Sequence, residues 1–290
     1  MEWIYFALIA YLLNAFVVVI DKQLLSQSVT KPAGYAFWIA VLSAPVLILI
    51  PFGVRWFGLN YFLICLASGT SFFFGLVFLY KSLKPSDLSV VATKVGAWGA
   101  LTTLIFSGVI LGEVLTNFDV IAFVFLITGI FLLSRLGKST LQYSIFSGTL
   151  IGFSSVLVKY IFTSSDFING FFWTRIGFIL AAMVVTFSKT IRADIVSFLE
   201  LSSQNSKSLL VFNKILASIA SASLQYSIQI GSVILVNALL GLQFLFIFLL
   251  ALLLKGLTPA IRENMEGKVL ILKLCSIALI TMGFALLFYK

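Results

Sequence analysis

Apolar residues run along this chain in long unbroken stretches, not in alternation with polar ones. About ten stretches approach the roughly 20 residues a helix needs to cross a bilayer. They read as Trp3–Ile20, Ala33–Val54, Asn60–Tyr80, Ser89–Leu111, Asp119–Ser134, Leu141–Tyr160, Ile168–Phe187, Leu209–Gln229, Ser232–Leu254 and Ile271–Tyr289. A closed β-barrel would show short alternating segments instead. The pattern therefore predicts an all-α integral membrane protein with about ten transmembrane helices. The longest polar gap, Ser188 to Lys207, is expected to be a loop carrying a short interfacial helix at Ile191–Leu201. Little is left for a soluble domain, so residues 1–290 form one membrane domain. The first stretch lacks a cationic lead and a small-residue cleavage site, and is expected to be a retained helix.

Composition agrees: 61% of the 290 residues are hydrophobic and 10% are charged, outside the range of soluble domains. Histidine is absent, which removes the commonest side chain for metal binding and proton relay. Cys65 and Cys275 fall within apolar stretches without motif spacing and are expected to be packing residues. No metal or cofactor is expected. The net charge of +9 comes from single, scattered basic residues, so no nucleic-acid partner is expected.

The sidedness of those charges carries more. With alternate gaps assigned to opposite faces, one face holds fourteen: Lys22, Lys31, Lys81, Lys84, Arg135, Lys138, Lys189, Arg192, Lys207, Lys214, Lys255, Arg262, Lys268 and Lys273. The other holds three, Arg55, Lys159 and Lys290. Basic loops stay in the cytoplasm, which predicts a cytoplasmic-membrane protein with both termini outside.

The pattern also repeats. Tyr35-Ala36-Phe37-Trp38 in the second stretch matches Gly170-Phe171-Phe172-Trp173 in the seventh. Val91 to Gly96 in the fourth aligns with Val236 to Gly241 in the ninth, and Gly129-Ile130-Phe131-Leu132-Leu133 in the fifth with Gly283-Phe284-Ala285-Leu286-Leu287 in the tenth. The matches share order and helix number. They predict two five-helix repeats, 1–135 and 136–290, inverted in the membrane because five is odd. Such repeats place a substrate site near the midplane, reached alternately from either side.

In this arrangement the chain resembles the drug/metabolite transporter superfamily, in its ten-helix EamA-like branch. The resemblance rests on the layout, on Leu111-Gly112-Glu113 ahead of a helix with Gly129 near its end, on Arg175, and on Gly231-Ser232-Val233 leading into Val236-Asn237-Ala238. It implies transport of a small metabolite, with export the expected direction. The chain departs from that family at Leu254-Lys255-Gly256, where a Gly-Glu is usual, and in lacking proline within Ser89–Leu111 and Ser232–Leu254.

Lys94 is the residue most costly to bury, since an intramembrane lysine must face protein or water. Trp98 lies one turn further on its face. Arg175 offers a two-pronged fork for carboxylate or phosphate. Asp21, Glu113, Asp119 and Asp166 all fall at ends of the predicted helices, so no membrane carboxylate is available for proton exchange. The cavity is expected to be positive, suiting an anionic or zwitterionic substrate such as an amino acid, moved by facilitated passage or exchange.

Polar residues give the expected lining: Ser218, Ser221, Gln225 and Gln229 at helical spacing in the eighth stretch with Tyr226 beside them, Asn237 and Gln243 in the ninth, Tyr11 and Asn14 in the first, Ser68 and Ser71 in the third. Gly148, Gly152 and Ser155 form a small-residue stripe expected to pack helix on helix. Pro45 predicts a kink. An enzyme would need an acid, base or metal site that the sequence does not offer. The reading is therefore a transporter, monomeric or homodimeric, with the lipid bilayer and a small molecule as its partners. A lipid-linked-sugar flippase, a passive partner or receptor subunit and, behind them, an integral-membrane enzyme are the alternatives.

Overall fold

The computed structural model describes residues 2–26, 31–113, 117–134, 140–201, 203–240 and 267–287, together with residues 243, 246, 247, 249, 250 and 253. The described elements are all helical: α1 Glu2–Leu25, α2 Pro32–Val41, α3 Leu59–Leu83, α4 Leu88–Phe106, α5 Asn117–Ser134, α6 Leu141–Phe162, α7 Phe167–Val185, α8 Lys189–Leu201, α9 Gln204–Ile230, α10 Val233–Ala238 and α11 Gly267–Leu287. Among the described residues, seven spans are long and apolar enough to cross a membrane: α1, α2 with its continuation to Phe52, α3, α4 with its continuation to Leu111, α6, α7 and α9. The chain is an all-α protein of membrane type. The Leu254-Lys255-Gly256 segment and the loop cations Arg135, Lys138, Lys255, Arg262 and Lys290 lie outside the described residues.

The expected kink at Pro45 is a change of helix type. α2 ends at Val41, and the chain rewinds as a 3-10 helix over Ala44–Phe52 containing Pro45 and Pro51. Proline has no N–H to give the α-helical ladder and its ring clashes with the preceding turn. α4 likewise passes into a π turn at Ser107–Leu111, closed by Gly112 in the left-handed region at φ 69°. The expected interfacial helix is present as α8, amphipathic and docked on α2. Lys31 pairs with Asp194 at 2.6 Å, and Trp38 Nε1 donates to the Ile195 carbonyl at 3.2 Å.

α1 lies along α9, α3 along α6 and α7, α4 along α6, and α5 along α11. Small residues permit the close crossings. A Cβ on Gly177 of α7 would stand 2.5 Å from the Cys65 carbonyl oxygen of α3, and Gly148 and Gly152 of α6 face Gly99 of α4. The Gly148/Gly152 stripe thus packs helix on helix. Cys65 is buried and Cys275 is exposed on α11, not packed in a core; both thiols are free.

Two lysines clamp helix ends in matching ways. Lys22, near the end of α1, donates to the carbonyls of Leu83, Lys84 and Ser86 at 2.7, 3.1 and 2.8 Å, where α3 stops. Lys159, near the end of α6, donates to those of Ile228, Gln229 and Gly231 at 3.0, 3.1 and 2.6 Å, where α9 stops. The ammonium thereby meets carbonyls a helix terminus leaves without partners. α9 runs antiparallel to α1: Asn213 bonds Val17 and Asp21, and Ser227 bonds the Trp3 carbonyl. The two clamps therefore sit at opposite ends of the bundle.

Burial alters the charge count. Lys214, 7% exposed, lines the bundle interior, while Lys22 and Lys273, 8% and 1% exposed, are buried at one end of the bundle beside the turn between α3 and α4, which leaves thirteen of the fourteen cations assigned to one face. Lys273 pairs with Asp87 ahead of α4.

Candidate functional site

A cavity of about 240 Å³ opens between helices from both ends of the sequence, walled by α1, α2, α3, α4, α6, α7, α9 and α10. Its walls recur along the chain. On α3 they are Ser68, Gly69, Phe72, Leu76, Leu79 and Tyr80; each has a partner 145 higher on α9, namely Asn213, Lys214, Ala217, Ser221, Leu224 and Gln225, while Leu210 and Ile228 of α9 line the cavity without a lining counterpart on α3. Ala92 and Val95 of α4 correspond at that offset to Asn237 and Leu240. Asn14, Val17, Val18 and Asp21 of α1 correspond to Ile151, Ser154, Ser155 and Val158 of α6, 137 higher, from 151 against 14 to 158 against 21. The match is incomplete: Arg175 and Phe178 line the cavity, while their counterparts by the second–seventh stretch alignment, Ala40 and Ser43, do not.

The positions match but the chemistry does not. Among the described residues, three charged side chains reach the cavity, Asp21, Arg175 and Lys214, and their counterparts are Val158, Ala40 and Gly69. Arg175, 6% exposed, donates to Ser221 Oγ and lies among the rings of Phe171, Phe72 and Phe178 at 5.1, 5.9 and 5.9 Å from the centroids. Lys214, 7% exposed, rests its ammonium 5.9 Å from the Phe178 centroid and makes no hydrogen bond or ion pair among the described residues. Asp21, 2% exposed, accepts from Tyr35 Oη at 2.6 Å, Tyr80 Oη at 3.2 Å and Asn213 Nδ2 at 2.7 Å. The amide oxygens Asn213 Oδ1 and Gln225 Oε1 are buried without hydrogen-bond partners among the described residues.

Of the residues expected to form the site, the structure brings Tyr11, Asn14, Arg175, Gln225, Asn237 and Gln243 to the cavity. Two are fixed by the scaffold: Tyr11 Oη donates to the Val236 carbonyl at 2.8 Å and Asn237 Nδ2 to Thr103 Oγ1 at 2.7 Å. Ser68 and Ser221 join them, but Ser71, Ser218, Gln229 and Tyr226 do not. Ser218 bonds back to the Lys214 carbonyl, and Tyr226 packs edge-on against Phe6 and Phe167.

Lys94 is fully buried but does not reach the cavity. α4 presents Ala92, Val95, Gly96 and Gly99 there, and at about 100° per residue Lys94 points to the other side of the helix, as does Trp98.

Sequence reasoning missed Asp21, Asn213 and Lys214. Apolar patterning puts Asp21 at the end of its helix, but α1 continues through Leu24 and Leu25, both buried, and carries the carboxylate inside. The clue was that apolar pair after Asp21-Lys22. Lys214 stands four residues before Ser218, on the line of the recognised stripe, and was grouped with loop charges.

No sequence family matches the chain, and no curated protein matches it. Among solved structures, one protein crystal structure superposes with a TM-score of 0.64 at 15% identity, over 98% of this chain and 96% of that one. At that identity the likeness is one of fold alone. It extends over nearly the whole of both chains, so the architecture is a recurring one.

Proposed function

We propose that this chain is a secondary transporter that moves a small polar metabolite, anionic or zwitterionic, through the cavity by alternating access. The observation that carries this is the pairing of two buried cations, Arg175 and Lys214, on one wall, with the Lys214 ammonium lacking a hydrogen bond among the described residues. Burying a cation is costly unless an anion or a polar group meets it, and a bound carboxylate or phosphate supplies that partner. The apolar remainder of the wall suits the body of a small molecule.

Two features support a ten-helix arrangement in two inverted copies. Cavity positions recur at constant offsets, and the lysine clamps occupy opposite ends of the bundle. Inverted copies around a midplane site are the framework in which one half rocks against the other. The residual charge bias supports a cytoplasmic-membrane location with both termini outside. Export follows from the resemblance to the drug/metabolite transporter superfamily, and the lack of catalytic apparatus in the sequence favours a carrier over an enzyme.

The test is uptake into proteoliposomes of labelled carboxylates, zwitterions, phosphates and organic cations, with wild type and Lys214→Gln. The expected result is transport of one anion-bearing class, reduced at least tenfold in the variant. Uptake of cations alone, unchanged by Lys214→Gln, rejects the reading.

A further inference from the structure

The cavity contains a carboxylate that the transport reading leaves unused. Asp21 is held by two tyrosine hydroxyls and one amide, and it makes no ion pair among the described residues. Those neutral partners serve either protonation state. A tyrosine hydroxyl can accept as well as donate, and Asn213 presents an amide whose second end, Oδ1, is buried without a partner among the described residues. As it stands the amide donates through Nδ2 to the carboxylate at 2.7 Å and to the Val17 carbonyl at 3.3 Å; turned over, it gives up both bonds and Oδ1 accepts from the carboxylic acid.

The charged and titratable groups around Asp21 are few. α2 contributes Tyr35 and α3 contributes Tyr80, whose rings meet edge to face at 5.0 Å. α9 contributes Lys214, with Arg175 of α7 beyond it on the same wall. On α1 itself, Lys22 is turned away to the end of α3, and Lys94 of α4 faces away from the cavity. Asp21 and an incoming anion therefore compete for Lys214, the nearer of the two cations.

We propose that Asp21 is a proton-binding site coupled to the cavity: a proton on Asp21 and an anion at Lys214 and Arg175 favour one another. This rests on the anion reading above. Protonating Asp21 removes the negative charge that opposes an incoming anion and leaves Lys214 to it. By thermodynamic reciprocity, the bound anion raises the proton occupancy of Asp21 by the same factor. The proton comes from water on whichever side the cavity faces, so anion and proton travel in the same direction.

The experiment is infrared difference spectroscopy of the purified full chain in lipid across a pH series, with and without benzoate as the anion probe, alongside benzoate binding by calorimetry. The carbonyl stretch of a protonated aspartic acid should appear on acidification, shift with ¹³C-aspartate labelling and vanish in Asp21→Asn. Benzoate should move its appearance to higher pH. Wild type should bind benzoate about tenfold more tightly at acid than at alkaline pH, as typical couplings do, and Asp21→Asn tightly at both. Should Asp21→Asn fail to fold, Tyr80→Phe, which removes one hydrogen bond to the group, should shift the band frequency and assign it. If no aspartic-acid band titrates while benzoate binds, the proton site is wrong and the anion reading stands. If the band titrates but benzoate binds at no pH, the anion reading falls and takes the coupling with it. A band that titrates at the same pH with and without bound benzoate also overturns the coupling.

Discussion

Replacing Lys22 by methionine keeps most of the side-chain volume but removes three hydrogen bonds to the end of α3; replacing Lys159 does the same to the end of α9. A hydrogen bond to a charged group contributes about 1.5–3 kcal/mol net, but three that share one ammonium do not add in full. Water reaching the vacated carbonyls recovers part of the loss. That leaves a cost of about 2–4 kcal/mol for Lys22, which is 8% exposed, and the lower end of that range for the half-buried Lys159. At about 2–4 °C per kcal/mol, Lys22→Met should melt about 4–16 °C below wild type in detergent, followed by tryptophan fluorescence on heating. Because the clamps lie at opposite ends of the bundle and share no partner, the double variant should lose the sum of the single losses to within about 0.5 kcal/mol. An unchanged melting temperature in either single variant refutes the clamp at that end. Strong non-additivity refutes their independence.

Gly177→Val should destabilise the fold by about 1–3 kcal/mol or more, read as a lowered melting temperature, because the added carbons meet the backbone of α3 at Cys65 and Leu66 and no side chain there can swing aside. Asp166 caps α7, accepting from the Asn169 backbone N–H at 2.9 Å. Slight burial pushes its carboxyl up, but the Asn169 backbone and side-chain hydrogen bonds outweigh this and hold it below the usual carboxylate range. A depressed carboxyl stabilises the fold above its unfolded-state value and loses that contribution as pH falls through the folded-state one. The melting difference between wild type and Asp166→Asn should therefore be level near neutrality and shrink below about pH 4; a difference independent of pH contradicts the cap.

The spans were legible in the sequence because membrane insertion demands long apolar runs, and every described helix falls on one of the ten stretches or on the expected interfacial helix. Their ends were less legible. Hydropathy falls at the first charge, whereas a helix ends where its backbone bonds end. α1 therefore carried Asp21 and Lys22 inward past the predicted stop at Ile20. Polar residues flanked by apolar ones, such as Asn237 and Gln225, were found because water or protein must face them. Lys94 met the same criterion and still points away from the cavity, since a buried lysine can face the protein on either side of its helix. The pairing of Arg175 with Lys214 joins α7 to α9 across the cavity wall, and no local pattern encodes that.

The uneven charge of the cavity bears on how such a protein could arise. Were the walls made by two identical chains, Asp21, Arg175 and Lys214 would each be present twice, and the cavity would hold four cations and two carboxylates in a space of about 240 Å³. Under the proposed repeat, joining both copies in one polypeptide releases each wall position to change without its twin. Val158, Ala40 and Gly69 are then the silent halves of three pairs, and selectivity could be acquired on one wall while the other kept the shape.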